Sequence, residues 1–581
     1  MSKFCSRFWL RGICGVLVVF TAALAAADDV LKLVPDNALG VVVVNRVGET
    51  NDKIRALALR LKVPPVDLLS TAKLSLGLQE GFDDKGSLAL AAIPSTPEGA
   101  PVMVAFLPAS DYAALVKQLN AEIGDDGIAT LSVGDKTLVA AHKDGYVVAT
   151  EEANKPTLQA VIAGGKSIAV AAPALTAWRE ENDAYAMTTP AGVKFAQQQI
   201  QFGLEVAKAQ LANQGEQGQA ALAGLSMYDG LVAHMDKEIS HAAVGLRMAG
   251  DGAVHVVTRT VPVPGGTLAS VAAEANPSNL NPLADLPQNP YVIAGGGVFT
   301  AASMKSWMET SFGMMRSYPG WDKLSDQQIK QLSKISLRSM QGLRSMALLM
   351  GVGEADEPLY GRMLIVMKTK NAQAYLDNYE AAMGEMAKIL KDTEQPLLAF
   401  ESERMEIDGL PVLKLTMDMA PFLAAGQGGP EAEKMMKLMF GGDGKMSTYF
   451  AAADQTTVVG TYVSSSQLVA SVRAIREGKP TLTDDAGVAQ TLAMLPRGAQ
   501  WVGLASPRGG AAFVSRMLKT VAPPEAGLPT IPEFPETPPV GFGVLLSPSG
   551  LDTDLAIPAA VLEAVSETVR KALVERGKPD A

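Results

Sequence analysis

The sequence predicts an α+β protein made of two diverged copies of one unit, with antiparallel or mixed sheets and packed helices. Short apolar runs mostly alternate with polar residues or form hairpins, and helical patterns interrupt them without a strict βαβ rhythm. This favours antiparallel or mixed sheets over a doubly wound parallel sheet. The same order of patterns returns in the second half. The predicted organisation is a signal peptide at 1–27, a first copy at 28–262, a linker at 263–284 and a second copy at 285–581.

The first element is a predicted secretory signal peptide. Three basic residues precede an apolar run from Ile13 to Ala27, which is shorter than the roughly 18 to 20 residues that a bilayer span needs. Alanines at alternate positions suit cleavage after Ala25 or Ala27, and this predicts an extracytoplasmic protein, either periplasmic or secreted. The alternative is that the segment is retained as an anchor. Both cysteines lie inside it, so the mature chain would contain no disulfide and no thiolate-bound metal.

Composition limits the partners of the mature chain. The 581 residues include 61 acidic and 50 basic side chains, and removal of the signal peptide changes the formal net charge from −11 to −14. Such an acidic surface repels nucleic acid, and we expect no nucleic-acid partner. Hydrophobic residues make up 48% of the chain, which is enough to bury large cores. No second long apolar segment follows the first, so no integral membrane span is expected after cleavage.

The clearest repeat is a strand followed by a capped helix. Val102–Leu107 is strand-like and Asp111 is a predicted helix N-cap. At an offset of 260 residues, Arg362–Met367 and Asn371 repeat this arrangement. The apolar stripe of the helix is Leu115, Val116 and Leu119 in the first copy and Tyr375, Leu376 and Tyr379 in the second.

Further matches follow in the same order. The runs around Gly134-Asp135 and around Asp408-Gly409 both predict hairpins, and we align Leu131 with Met405 at an offset of 274. Three later pairs of segments also correspond. Tyr146–Thr150 matches Thr457–Thr461, and a hairpin at Gly250–Gly252 matches one at Pro548–Gly550. Tyr185–Thr188, followed by Pro190 and Gly192, matches Val502–Ala505, followed by Pro507 and Gly509. Prolines and glycines break the linker, and a final amphipathic helix carries Val561, Leu562, Val565, Val569 and Leu573 on one face.

Methionine is the one unusual feature of composition. Of 26 methionines, 18 lie between Met304 and Met446, and several fall in a predicted insertion at 416–447 that has no counterpart in the first copy. Packing of this insertion on its own domain is one interpretation. The others are a mobile lid over an apolar surface and a Cu(I) site. The lid hypothesis places a possible apolar binding surface at Met435, Met436, Met439 and Phe440.

No motif in the chain predicts a catalytic residue, a cofactor or a metal. The histidines, His142, His234, His241 and His255, form no His-Glu-x-x-His sequence. Ser70 and Lys73 match Ser-x-x-Lys without the partner motifs of penicillin-recognising enzymes. Gly295-Gly296-Gly297 lacks both the dinucleotide spacing and the P-loop lysine, so a glycine-bearing strand is expected there.

One resemblance extends over most of the mature chain. The chain resembles the uncharacterised exported proteins of planctomycete-type bacteria in three features. These are a signal peptide, the segment Leu33–Ala38 before a valine strand, and the segment Val102–Leu119 with Pro108 and Asp111-Tyr112. These are related to an envelope-associated domain of unknown function. The resemblance implies an extracytoplasmic location and repeated α+β domains, and it supplies no catalytic residues.

Two classes of function remain open from the sequence. One is a non-enzymatic exported envelope protein that binds an apolar ligand or a protein partner. The other is an extracytoplasmic hydrolase whose site is assembled from scattered acids and histidines. The absence of a catalytic motif favours binding.

Overall fold

The computed structural model describes residues 27–576 apart from 66, 96–99, 134–135, 172, 213–221, 223–224, 226–231, 276–280, 301–302, 307, 309–310, 313–323, 355–356, 392–398, 419–437, 442–444 and 522–530. Helices and antiparallel strands are mixed along these residues, as the α+β prediction requires. The chain divides into two compact units. The first unit comprises the described residues up to Gln199 together with Met235–Leu268 and Ser549–Asp552. The second unit comprises Ile200–His234, Ala269–Pro548 and the residues from Thr553 onward.

The elements of the first half are α1 (Ala27–Leu33), β1 (Gly40–Val44), α2 (Val47–Arg60), α3 (Leu68–Leu76), β2 (Leu88–Ile93), β3 (Val102–Pro108), α4 (Tyr112–Gln118), β4 (Glu122–Ile123), β5 (Ala129–Val133), β6 (Lys136–Lys143), β7 (Tyr146–Glu151), α5 (Lys155–Ala163), α6 (Ile168–Ala171), α7 (Thr176–Glu181), β8 (Ala184–Thr188), α8 (Pro190–Ala212), α9 (Met235–Glu238), β9 (Ile239–Met248), β10 (Val254–Pro262) and α10 (Thr267–Glu274).

The elements of the second half are β11 (Tyr291–Val298), α11 (Asp326–Ser339), β12 (Leu343–Gly351), β13 (Met363–Thr369), α12 (Ala372–Lys391), β14 (Ala399–Ile407), β15 (Leu410–Asp418), β16 (Lys445–Ala452), β17 (Thr457–Tyr462), α13 (Ser465–Arg476), α14 (Ala486–Met494), β18 (Trp501–Ala505), α15 (Pro507–Val521), β19 (Val540–Ser547), β20 (Gly550–Ile557) and α16 (Ala559–Arg576). Within the described residues, no helix is long and apolar enough to cross a membrane.

The first unit contains a sheet in the order β10, β9, β8, β1, β2, β3, β7, β6, β5, β4, with every pairing antiparallel. One face of this sheet carries the main core. Val43, Ala91 and Phe106 on that face are buried against apolar side chains of α1, α5 and α7. Leu31 of α1 and Leu158 of α5 are fully buried there. Helix burial against one sheet face is the expected α+β arrangement.

The second unit contains a sheet in the order β20, β19, β18, β11, β12, β13, β17, β16, β15, β14, in which β20 takes part through its residues from Thr553 onward. The pairings from β19 to β14 are antiparallel. Its core face packs Ala294, Ala347 and Val459 against Leu468 of α13 and Val488 of α14. The order is the same as in the first sheet when ten is subtracted from each strand number, so that β20 takes the place of β10 and β11 the place of β1.

The registers define corresponding positions in the two sheets. Ala92 pairs with Met103 in the first sheet, and Met350 pairs with Met363 in the second, so Met103 and Met363, which are 260 residues apart, hold equivalent places in the two strand orders. The helix after each strand begins at the predicted cap. The Asp111 carboxylate accepts a hydrogen bond from Ala114 N at 3.0 Å, and the Asn371 side chain accepts one from Ala374 N at 2.9 Å.

The alignment of the two hairpins at an offset of 274 is wrong. Both hairpins form, but Leu131 of β5 holds the position of Leu415 in β15, whereas Met405 lies on β14. The cause is a difference in strand length. β14 has nine residues and its first-half counterpart β4 has two, so the strong alternating signal before Asp408 has only a short equivalent before β5.

Other expected features fall where the sequence placed them. The glycine triplet lies within β11, and a short helix, α10, lies within the predicted linker. The predicted insertion at 416–447 is shorter than expected because β15 continues to Asp418 and β16 begins at Lys445, where the two residues pair.

Candidate functional site

Each sheet has a second face that the helices of the described residues cover mainly over one half of its width. In the first unit, Leu115 of α4 packs over β5, β6 and β7, where Leu131 and Val147 are buried. In the second unit, Tyr375 and Leu376 of α12 cover β13 and β15 to β17 in the same way. The other half of this face, formed by β9, β8, β1 and β2 or by β19, β18, β11 and β12, is here called the open half-sheet of its unit.

The open half-sheet of the first unit is apolar and exposed over part of its area. At one end Val44 is buried, and Leu88 is buried in a cluster with Val47 of α2 and Leu69 of α3. Val42 is 39% exposed, Val244 46% and Leu246 37%, and Met103 on the adjoining β3 is 45% exposed. The registers place these side chains on one face with no charged residue among them. The positions on this face are Ala242, Val244 and Leu246 of β9, Ala184, Ala186 and Thr188 of β8, Gly40, Val42 and Val44 of β1, and Leu88, Leu90 and Ala92 of β2.

The open half-sheet of the second unit has the same character. Ile293 is 45% exposed and Phe542 is 42% exposed. The register of β18 and β19 pairs Phe542 with Gly503, as the register of β8 and β9 pairs Val244 with Ala186. The positions on this face are Val540, Phe542 and Val544 of β19, Trp501, Gly503 and Ala505 of β18, Ile293, Gly295 and Gly297 of β11, and Arg344, Met346, Leu348 and Met350 of β12. Arg344 is exposed, whereas Met350 is buried and Met346 packs against the α12 cluster.

Sequence reasoning missed these two surfaces. The signal was present, because β1 and β2 are apolar on both faces, as strands buried on both sides are. The sequence could not show that helices cover only half of the second face.

A buried polar cluster in the first unit is the other candidate site. Asp183 has 1% side-chain exposure, and its carboxylate accepts hydrogen bonds from Lys53 Nζ at 2.7 Å and from Met248 N at 2.6 Å. Arg46 lies 3.7 Å from the same carboxylate, and Glu49 pairs with Lys53 at 3.0 Å. Burial alone would lower the pKa of Lys53, but hydrogen bonds to Asp183 and Glu49 outweigh it and raise the pKa above its ordinary value. A lysine held in its charged form is unsuited to act as a base.

The corresponding position in the second unit shows what this cluster does. Gln500 precedes β18 as Asp183 precedes β8, and its side chain accepts a hydrogen bond from Leu546 N at 2.7 Å. It also donates to Leu546 O at 2.8 Å. Leu546 is the counterpart of Met248. The Gln500 amide and the Asp183 carboxylate therefore accept a hydrogen bond from the equivalent backbone N–H. Their shared role is to join the start of β8 to β9 and the start of β18 to β19. The charges of the first unit neutralise a buried carboxylate.

The histidines stay separate structural residues in the contacts that the structure describes. His142 stacks on Tyr112 with ring centroids 5.5 Å apart, and the His255 ring lies 3.3 Å from Arg247. His241 is buried, its Nδ1 lies 3.2 Å from the Ser240 hydroxyl, and desolvation lowers its pKa. His234 lies in a turn before α9. Among the described residues, no group of three histidine, cysteine or acidic side chains could hold a metal ion.

The Ser-x-x-Lys match lies on α3. Ser70 N donates to the Asp67 cap at 2.9 Å, and Lys73 forms an ion pair with Asp84 and lies 5.1 Å from the centre of the Phe82 ring. Asp84 and Phe82 therefore hold Lys73 by charge and by cation–π contact, which is a structural arrangement.

The methionine-rich insertion is described only at its end. Met435 and Met436 lie outside the described residues, whereas Met439 and Phe440 are half-buried. Tyr360 N donates to Met439 O at 2.9 Å, and the rings of Tyr360 and Phe440 lie 5.2 Å apart. This end of the insertion contacts the loop between β12 and β13 of its own unit. The apolar surface proposed at the four residues stays a prediction.

Comparison with known proteins adds no name to these sites. Neither a protein family, nor a curated protein, nor a solved structure matches the chain.

Proposed function

We propose that this is an exported, non-enzymatic protein that binds an apolar ligand or an apolar protein surface on its open half-sheets. The observation that carries the proposal is a mainly apolar sheet face with large exposed apolar side chains, which include Val244 and Phe542. Soluble proteins rarely leave a contiguous apolar surface uncovered unless it binds something. The large apolar side chains on the face suit an apolar partner.

The recurrence of this surface supports the proposal. Within the described residues, both units cover one half of the second sheet face and leave much of the corresponding half exposed, although the side chains there differ. A surface that only one unit exposed would be easier to attribute to local packing. We further infer, from the shared strand order and registers, that the units are two diverged copies, as the resemblance to exported repeat proteins implies.

The test introduces a charge into each open half-sheet. Val244→Lys and Phe542→Lys replace side chains that are about half exposed, so each should change the free energy of unfolding by about 0.5 kcal/mol or less. Binding of the uncharged dye Nile red, measured by fluorescence, should fall for each variant and disappear when both are combined. Val565→Lys on α16 is the matched control, because Val565 is 45% exposed and lies outside the half-sheets.

The control should bind the dye as the parent protein does. If the combined variant also binds it with the parent's affinity, the half-sheets are not the apolar binding surface and the proposal fails.

A further inference from the structure

β14 lies at the edge of the sheet of the second unit, and its outer side carries unpaired main-chain groups. Ile407 pairs with Leu410 across a two-residue turn in which Asp408 and Gly409 both have positive φ. In such a hairpin the two residues that flank the turn exchange a pair of hydrogen bonds, so every second residue of β14 bonds to β15. The residues between them direct their N–H and C=O groups away from β15, namely Phe400, Ser402, Arg404 and Glu406. Among the described residues, no strand pairs with this outer side.

β14 lacks most of the features that usually close an exposed sheet edge. It has nine residues, whereas β4, in the corresponding place of the first unit, has two. Its sequence contains no proline and no lysine, and its register with β15 continues without a bulge. Exposed acidic side chains, Glu401, Glu403 and Glu406, are its main protection against edge-to-edge association. The main chain of β14 is therefore long enough to hydrogen-bond an added strand, which that of β4 is not.

The acidic side chains of this edge are poorly neutralised. Within the part of the chain that the structure describes, no basic side chain forms an ion pair with Glu401 or Glu406. Lys414 Nζ lies 3.9 Å from a carboxylate oxygen of Glu403. Arg404, the basic residue of the strand, pairs with two acidic side chains of α12 at 2.7 and 2.6 Å. The edge therefore presents a net negative charge to any strand that joins it.

This charge argues against a second copy of the chain as the occupant. Two copies of β14 in full antiparallel overlap would place Glu403 opposite Glu403. A shift of the centre by one residue would place either Glu401 opposite Glu403 or Arg404 opposite Arg404. Like charges directly opposite each other destabilise a pair of strands. A basic strand would instead pair favourably with the same residues.

We propose that the outer edge of β14 binds an extended basic segment of another protein as an added antiparallel strand. Lysine or arginine at two alternate positions of that segment lies opposite Glu401 and Glu403, and the main chain of the segment bonds to the outward groups of β14. The antiparallel orientation continues the pairing of β14 with β15. This proposal does not depend on the open half-sheets.

The first test measures the charge preference. The probe is an acetylated and amidated heptapeptide in which lysine and valine alternate, with lysine at both ends. Calorimetry with the mature chain should show binding that weakens as salt is added. Glu401→Lys with Glu403→Lys should weaken it at least about fourfold, because two attractive cross-strand pairs become repulsive. The matched control is Glu533→Lys with Glu536→Lys, which makes the same change of charge at side chains that are 79% and 85% exposed and lie outside β14.

The control should keep the affinity of the parent protein. Equal losses in the control and in the β14 variant would show a response to net charge alone and would overturn the assignment to β14.

The second test separates strand addition from charge attraction. In the proposed register the valines lie opposite the outward residues of β14, such as Ser402 and Arg404, and their N–H groups donate to it. N-methylation of the three valines should therefore abolish binding. The lysine N–H groups face away from β14, so N-methylation of the lysines should leave the affinity nearly unchanged.

Three results would contradict the proposal. Equal affinity of the two methylated peptides would show charge attraction only. Loss of binding on methylation of the lysines instead of the valines would refute the antiparallel orientation. Absence of binding by the unmethylated peptide at about 1 mM would show that the acidic side chains of β14 only prevent self-association.

Discussion

Two glycines occupy corresponding places after β8 and β18 and make the same contact. A Cβ atom on Gly192 would lie 1.6 Å from Leu39 O, and one on Gly509 would lie 1.9 Å from Tyr291 O. The residue three positions earlier caps the helix in both cases. Thr189 Oγ1 accepts from Gly192 N at 3.1 Å, and Ser506 Oγ accepts from Gly509 N at 3.0 Å. A strand, a hydroxyl cap and a glycine therefore set how the helix approaches the start of β1 or β11.

We predict that Gly192→Ala and Gly509→Ala each destabilise the protein. The added methyl group would overlap the backbone carbonyl of Leu39, just before β1, or of Tyr291, the first residue of β11, and overpacking of this kind costs about 1–3 kcal/mol. Urea unfolding measures the change. Gly510→Ala lies next to one of these sites with open space around it, so the same substitution there should be neutral or stabilising by up to about 1 kcal/mol. Equal midpoints for Gly509→Ala and Gly510→Ala would show that the helix shifts to relieve the contact.

At the scale of elements, strand length separates what the sequence predicts from what it does not. The strand that begins at Val102 and the helix cap at Asn371 can be predicted from the sequence, because the apolar pattern and the capping residue act locally. The pairing of β5 with β4 cannot be predicted from the sequence, because the two residues of β4 are too few to show an alternation of apolar and polar side chains. The open half-sheets were missed for a related reason. Their exposure depends on how far α4 and α12 reach across the sheet.

We predict that the side chain before β8 and β18 matters through its acceptor oxygen. Asp183→Asn keeps an acceptor for Met248 N but removes the charge that pairs with Lys53, which should cost about 1–3 kcal/mol. Asp183→Leu removes both and should cost about 3–5 kcal/mol, because it leaves buried polar groups unpaired. Chemical denaturation with matched circular dichroism measures both. Gln500→Leu loses two neutral hydrogen bonds to Leu546 and should fall between them. A similar loss for Asp183→Asn and Asp183→Leu would refute the acceptor role.

At the scale of the whole molecule, both cysteines, Cys5 and Cys14, precede the described residues, so no disulfide cross-links the part of the chain that the structure describes. The main core of the first unit begins soon after the predicted cleavage site. Val30, Leu31 and Val34 each have 0% exposure and belong to the same cluster as the central strands. The end of the expected signal peptide and the start of the core therefore lie only a few residues apart. Charge and alanine spacing predict the signal peptide, but the sequence does not reveal that α1 contributes to the sheet core.

We predict that the native protein, purified from its source, begins at Ala26 or Asp28, as N-terminal sequencing would show. A chain that starts at Asp28 should melt at the temperature of the native protein, because it keeps every buried residue of α1. A chain that starts at Pro35 loses three fully buried aliphatic side chains, each of which contributes about 1.5–3 kcal/mol. It should therefore be destabilised by at least about 4 kcal/mol and should not accumulate as a folded protein. An intact Met1 in a membrane fraction would contradict the export prediction and make the segment an anchor. Equal melting temperatures for the Asp28 and Pro35 chains would instead contradict the assignment of α1 to the core.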